Sequence, residues 1–147
     1  MMKQDDIFDS LLQTPVHIID ILPQQVPKGF GGQYFAIEEY LLQDAQRLPL
    51  FRRFASLVLK LNCYYDLDVR LGESWQKNPK PEELVKWIIS CGENVDSGVT
   101  VLIDERSSLS IDSDSLYIAC YNLTPAVQLL LSQLVTAEGL FFRQVKQ

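Results

Sequence analysis

Three prolines each precede a run of apolar residues spaced three or four positions apart, and this limits the possible folds more than any other feature. Proline is favoured at the first position of an α-helix, because its fixed φ suits the helix and its missing N–H needs no partner there. Amphipathic helices are therefore predicted to begin at Pro49, at Pro81 and, with Thr124 as the capping residue, at Pro125.

The apolar stripes that follow these prolines indicate how far each helix runs. The predicted ends are Asn62, Gly92 and Gly139, because asparagine and glycine commonly follow the last helical turn. A stripe of this kind predicts a helix that buries one face. The stripes comprise Phe51, Phe54, Ala55, Val58 and Leu61, then Leu84, Trp87, Ile88 and Cys91, and finally Val127, Leu130, Leu131 and Leu134.

Between the helices the apolar residues either alternate with polar ones or form short continuous runs. Tyr65, Leu67, Val69 and Leu71 alternate with charged residues, which predicts a strand with one buried face. The apolar segment 116–121 predicts a strand that is buried on both faces. Further strands are predicted over residues 16–22, 99–103, 109–111 and 140–145, with turns at Ser107-Ser108 and at residues 112–114.

Two segments nearer the N-terminus complete the prediction. Helical spacing of apolar residues predicts a short helix over residues 5–13, and residues 34–43 fit a helix better than the strand that they also allow. Together the elements predict one α+β domain over residues 1–147, with a single mixed, mostly antiparallel sheet packed against several amphipathic helices. The last strand–strand–helix–strand portion is compatible with half of a ferredoxin-like sandwich, a likeness that carries no function.

Charge and cysteine content exclude several classes of partner. The chain has 147 residues and a net charge of −6, with no cluster of Lys and Arg, so neither nucleic acid nor a membrane is an expected partner. Cys63, Cys91 and Cys120 are isolated and odd in number, which is typical of buried thiols in a reducing compartment. With no signal-peptide core and no apolar run of about 18 residues, a cytoplasmic location is expected.

The glycine-rich segment 27–33, Pro-Lys-Gly-Phe-Gly-Gly-Gln, is the main candidate for a binding site. A dinucleotide fingerprint requires another glycine where Tyr34 stands, and a phosphate-binding P-loop requires Lys followed by Ser or Thr where Gln33 and Tyr34 stand. One interpretation is a turn with positive φ at a glycine, and the other is a loop that binds a ligand or a partner through its backbone and nearby aromatic side chains. The candidate binding residues are Lys28, Gly29, Phe30, Gly31, Gly32, Tyr34 and Trp75.

The remaining chemistry-bearing residues lack the spacing that catalysis or metal binding requires. A calcium loop at residues 112–114 would need an oxygen ligand and a glycine where Leu116 and Tyr117 stand. His17, the only histidine, shares a strand face with Ile19 and Ile21, which indicates partial burial, and isolated cysteines do not form a zinc site. No catalytic residue, metal or cofactor is assigned. Asp66 and Asp68 share the strand face opposite Leu67 and Val69, so their charges are expected to be solvated. The acidic pairs are Asp66/Asp68, Asp104/Glu105 and Asp112/Asp114.

These exclusions favour a non-enzymatic interaction or regulatory module with an acidic surface, for example an inhibitor or immunity-type protein that attracts a basic partner. The alternative is a small-molecule-binding protein or an unclassified enzyme with its site at residues 28–34. A homodimer formed through an exposed strand edge is a third hypothesis.

Overall fold

The computed structural model describes residues 17–27, 29, 31–93 and 97–145, which form seven β-strands and four α-helices. The helix predicted over residues 5–13 lies outside this part of the chain. The strands are β1 (His17–Asp20), β2 (Leu67–Leu71), β3 (Ser74–Lys77), β4 (Gly98–Ile103), β5 (Ser107–Asp112), β6 (Ile118–Tyr121) and β7 (Phe141–Gln144). The helices are α1 (Tyr34–Leu41), α2 (Asp44–Asn62), α3 (Pro81–Glu93) and α4 (Pro125–Ala137).

The seven strands form a single sheet in the order β3-β2-β4-β5-β6-β1-β7. Every pairing between these strands is antiparallel, where the sequence predicted a mixed, mostly antiparallel sheet. The α+β prediction is confirmed. Because β6 and β7 both run antiparallel to β1, they are parallel to each other, and α4 connects them. This is a split β-α-β unit of the ferredoxin-like kind, but its middle strand comes from the N-terminal third of the chain.

The two faces of the sheet differ in character, because successive residues of a strand point to opposite sides. One row of register partners crosses the sheet through Val69, Val101, Leu109 and Cys120. These residues and the buried stripes of α2, α3 and α4 form one apolar core, so this is the helical face. The neighbouring row faces the other way, here called the second face, and runs through Arg70, Thr100, Ser110, Ala119, Ile18 and Arg143.

Pro49 does not begin a helix, contrary to the prediction. Helix α2 starts at Asp44, so Pro49 stands inside it. The additional turn is held by Arg47, a buried residue whose Nε donates to the carbonyl of Gly92 at 2.9 Å and whose Nη1 donates to the carbonyl of Ser113 at 3.0 Å. These contacts offset the helical hydrogen bond to the Ala45 carbonyl that proline lacks the N–H to make.

Gly92 is likewise not the residue that follows α3, because the helix continues through Glu93. Phe51 of α2 packs directly against it: a Cβ atom built on Gly92 would lie 2.9 Å from Phe51 Cδ2. The glycine therefore allows two helices to approach closely and does not end one. At the end of α4 the prediction is confirmed, since Gly139 follows the helix with a φ of +74°. The Thr124 cap at its start is also confirmed, with the hydroxyl accepting from Val127 N at 3.3 Å.

Three further features of the sheet were missed or predicted wrongly. Strand β3 was not predicted, because three of its four residues are exposed and polar and only Trp75 is partly buried. Ser107 and Ser108 are buried in β5 and do not form a turn; the turn is made by residues 104–106. Leu71, predicted on the buried side of β2, is exposed at the end of that strand. None of the described helices is long and apolar enough to cross a membrane.

Candidate functional site

The chain reverses at the end of β1 and forms the wall of a pocket before it enters α1. Asp20 is the last residue of β1, and its Oδ1 accepts the backbone N–H of Ile21 at 2.7 Å, which fixes the turn. Two glycines of the following loop have positive φ, +81° at Gly29 and +121° at Gly32, which side-chain-bearing residues rarely adopt. Glycine at positions 29 and 32 therefore permits the backbone conformation of this loop. The loop leads to Tyr34, where α1 begins.

The pocket has a volume of about 350 Å³ and lies between this loop, α1 and the end of β7. Its walls are mainly apolar and include Leu22, Val26, Pro27 and Phe35, while its polar groups include Asp20 and Arg143. A small number of polar groups within an apolar concave surface is the usual composition of a ligand-binding pocket.

The polar side of the pocket is an ion pair between strands that are far apart in the sequence. Arg143 Nη2 donates to Asp20 Oδ2 at 2.9 Å, and the two side chains are 20% and 12% exposed, respectively. Arg143 is on β7 and Asp20 on β1, and their strands are neighbours in the sheet. Arg143 Nε is buried, and it has no hydrogen-bond partner among the described residues. The guanidinium thus retains hydrogen-bonding capacity that Asp20 does not use.

Tyr34 and Phe35 form the side of the pocket that α1 contributes. The Tyr34 hydroxyl donates to Glu38 Oε2 at 3.0 Å, and the two aromatic rings meet edge to face with centroids 5.5 Å apart. Burial, the hydrogen bond to Glu38 and the negative charges of Glu38 and Asp20 raise the pKa of Tyr34 to about 12. The phenol is therefore neutral at physiological pH and is not poised to act as a base.

Helix α1 exposes apolar side chains around most of its circumference, and none of its eight residues is buried. Phe35 is 80% exposed, and Ile37 and Tyr40 are more than half exposed. A helix that is apolar on several sides is normally buried in a core. Phe35, Ile37 and Tyr40 are called the α1 surface below.

The structure brings together four of the predicted binding residues and separates one. Gly29, Gly31, Gly32 and Tyr34 line the pocket. Trp75 lies on β3 at the opposite edge of the sheet, with the Arg70 guanidinium carbon 5.9 Å from its ring centroid. Lys28 and Phe30 lie outside the described residues.

The sequence interpretation missed Asp20, Phe35 and Arg143. A lone charge at the end of an apolar strand was a signal for Asp20, since a buried carboxylate needs a partner. Nothing in the sequence identified Arg143 as that partner.

Two of the acidic pairs converge at the other end of the sheet. Asp66, Asp68, Asp104 and Glu105 surround a shallow pocket together with Lys77, whose Nζ lies 3.8 Å from Asp66 Oδ2. Burial raises the pKa of Asp68, and the charges of Glu105 and Asp66 raise it further against the opposing effect of Lys77. Within the described ranges, no group of three or more His, Cys, Asp or Glu side chains is arranged to hold a metal ion.

His17 and Cys120 are register partners on neighbouring strands, but they do not form a nucleophilic pair. The His17 ring stacks on Phe142 with centroids 4.9 Å apart, and burial lowers its pKa. Cys120 is fully buried, its thiol is directed to the Ile118 carbonyl, and burial raises its pKa. Burial also raises the pKa of Cys91 to about 11, so both buried cysteines remain thiols at physiological pH.

Comparisons with protein-family models, with curated proteins and with solved structures gave no match to this chain.

Proposed function

We propose that the protein is a non-enzymatic interaction module that binds a segment of another protein on the α1 surface and in the adjoining pocket. The observation that carries the proposal is an apolar helix with no buried residue beside a concave, mainly apolar site. Exposed aromatic side chains next to a pocket are typical of interface anchors.

The energetics of α1 support this interpretation. Isolated helices of fewer than about 12 residues are marginal in water, and proteins stabilise short ones through packing of an apolar face. In α1 the eight residues contribute no buried side chain, so much of the apolar surface of the helix remains in contact with water. A partner that covers Phe35, Ile37 and Tyr40 gains the free energy of removing that surface from water, about 25 cal/mol per Å² before the costs of association.

The charge near the site indicates which partner segments suit it. Helix α1 contains Glu38 and Glu39 and no basic residue, and the whole chain has a net charge of −6. The partner segment is therefore expected to combine a large apolar side chain with one or more basic residues, because complementary charges speed encounter and disfavour acidic competitors.

The test uses a photo-crosslinking amino acid at position 35, with position 129 as the matched control. Leu129 is 66% exposed on α4, so a crosslinker there samples another exposed apolar position of the same protein. The purified variants are irradiated in extract from the source organism, and crosslinked proteins are identified by mass spectrometry. We expect one partner to be crosslinked at 35, to be absent at 129 and to be displaced by an excess of unlabelled wild-type protein. Identical crosslinking patterns at both positions would contradict the proposal.

A second candidate function, binding of a small molecule, is favoured by the polar groups that Asp20 and Arg143 place in the pocket. Native mass spectrometry of the protein purified from its source distinguishes the two. A retained mass that is lost in Val26→Trp, a substitution that fills the pocket, supports the small-molecule function.

A further inference from the structure

Arg143 lines the pocket and has more hydrogen-bond donors than its contact with Asp20 uses. A guanidinium has five N–H groups, and the contact with Asp20 engages Nη2 only. Nε is buried and, among the described residues, has no hydrogen-bond partner. An atom this buried is out of reach of a ligand, so the donors that the pocket offers are the Nη N–H groups that the single contact with Asp20 does not use.

The surroundings of Arg143 determine which acceptor suits it. Asp20 already neutralises its charge, and Glu38 adds a further negative charge near the pocket, because it accepts a hydrogen bond from Tyr34, which lines the pocket. An incoming carboxylate would be attracted by Arg143 but repelled by both acidic groups, and it would also lose its own hydration. A neutral amide carbonyl accepts the same hydrogen bonds without that repulsion.

The shape of the pocket adds a second requirement. Phe35, Val26 and Leu22 form apolar walls next to the ion pair, so the ligand must carry an apolar side chain close to its carbonyl group. A peptide main chain has this arrangement, since an amide carbonyl lies beside every side chain. Asp20, in turn, offers carboxylate oxygens that accept amide N–H groups.

We infer that Arg143 is the polar recognition point of the pocket and binds the amide carbonyl of an extended peptide segment whose neighbouring aromatic side chain packs against Phe35. This inference rests on the proposed function and specifies the chemistry of the partner segment. Because Arg143 binds a backbone group, this contact does not depend on the sequence of the partner segment. Selectivity for the neighbouring side chain of that segment comes from the apolar walls of the pocket.

The experiment uses two small probes of matched shape, N-acetyl-phenylalanine amide and N-acetyl-phenylalanine, which differ in carrying a neutral amide or a carboxylate. Each is titrated at pH 7 into ¹⁵N-labelled full-length protein, and the backbone amide signals of Gly29, Gly31, Gly32 and Phe35 are followed. We expect both probes to shift these signals, with the amide binding about threefold more tightly because its desolvation costs less.

The variants are chosen so that the protein still folds. Arg143→Lys retains a positive charge opposite Asp20 but loses the planar fork of donors, and it is expected to weaken binding of the amide probe about tenfold. Phe35→Ala removes an exposed side chain and is expected to weaken both probes. Tyr64→Ala, at another exposed aromatic residue, is expected to leave both unchanged.

Three outcomes would overturn the inference. Tighter binding of the acid than of the amide would make the pocket an anion site. Undiminished amide binding in Arg143→Lys, with binding lost in Phe35→Ala, would remove Arg143 as the recognition point and leave the proposed docking of an apolar segment intact. If neither probe shifts the four signals, the pocket does not bind a peptide group, while crosslinking at position 35 separately decides whether α1 is the docking surface.

Discussion

The two ends of the sheet differ in how their polar side chains are hydrogen-bonded. At the β3 end, Asn78 links its neighbours: its Oδ1 accepts from Leu67 N at 3.0 Å and from Asn62 Nδ2 at 3.1 Å, and its Nδ2 donates to Asp66 Oδ1 at 2.9 Å. At the β7 end, Arg143 has one acceptor among the residues that the structure describes, and α1 leaves Phe35, Ile37 and Tyr40 exposed. At the first end the Asn78 side chain finds its hydrogen-bond partners within the protein, whereas the second end retains hydrogen-bonding capacity and exposed apolar surface.

The edge strands show the same contrast. Strand β3 has the sequence Ser-Trp-Gln-Lys and ends on a charged residue, and lysine on an edge strand discourages pairing with another chain. Strand β7 contains Phe141, which is exposed, and Arg143, which lines the pocket. The proposed partner surface lies at the β7 end, where protection against association is weaker.

The largest predicted effect compares the ion pairs of the two ends. Arg143→Met leaves Asp20, a buried carboxylate, without its cation and is expected to lower the free energy of unfolding by about 3 kcal/mol. Lys77→Met breaks the exposed contact with Asp66 at 3.8 Å and is expected to cost less than about 0.5 kcal/mol. Urea denaturation at pH 7 measures both values. Equal losses would show that the two ends do not differ in the way the contacts indicate.

A smaller effect is expected for the asparagine that connects the β3 end. Asn78→Ala removes the acceptor of Leu67 N and places alanine at a φ of +46°, so a loss of about 2 kcal/mol is expected. Asn78→Gly removes the same side chain but tolerates this φ, and the difference between the two variants isolates the backbone contribution. If glycine and alanine are equally destabilising in thermal and urea unfolding, the left-handed conformation contributes little.

The smallest effect concerns the acidic residues near β3. The pKa of Asp68 is raised in the folded protein, so its carboxyl group loses its proton more easily in the unfolded chain. As the pH rises from below 3.8, the ordinary pKa, through the raised pKa, the free energy of unfolding therefore falls. Asp68→Asn is therefore expected to increase the free energy of unfolding slightly at pH 7, and this gain should disappear near pH 3, where aspartate is also neutral. Urea midpoints at the two pH values provide the measurement. A variant less stable than wild type at pH 7 would contradict the assigned direction.

Much of the fold follows from local patterns in the sequence. The Thr124-Pro125 start of α4, the stripe from Phe51 to Leu61 in α2 and the alternation around Val69 each follow from interactions within one element, and the structure agrees with them. Pro49 and Gly92 were misjudged because contacts from outside the helix decide them: Arg47 bonds to distant carbonyls, and Phe51 packs on the glycine.

The candidate site was only half predictable for a related reason. The loop glycines and Tyr34 are close in sequence, so the loop itself was a visible candidate. Asp20 and Arg143 meet because β1 is inserted between β6 and β7, and no periodicity within either strand reveals that order. Register and strand order depend on the packing of the whole sheet. The polar side of the pocket depends on that order, so it could not be predicted from either strand alone.

The insertion of β1 between β6 and β7 also affects when the pocket can exist during folding. Strand β1 remains without either neighbour until β6 and β7, from the last third of the chain, have been synthesised. Pairings between residues so distant in sequence form slowly, because a large loop must close first. Asp20 and Arg143 therefore meet only after β1 and β7 have paired. The proposed binding pocket is therefore a late product of folding, and any loss of the β1–β7 pairing would remove its polar side.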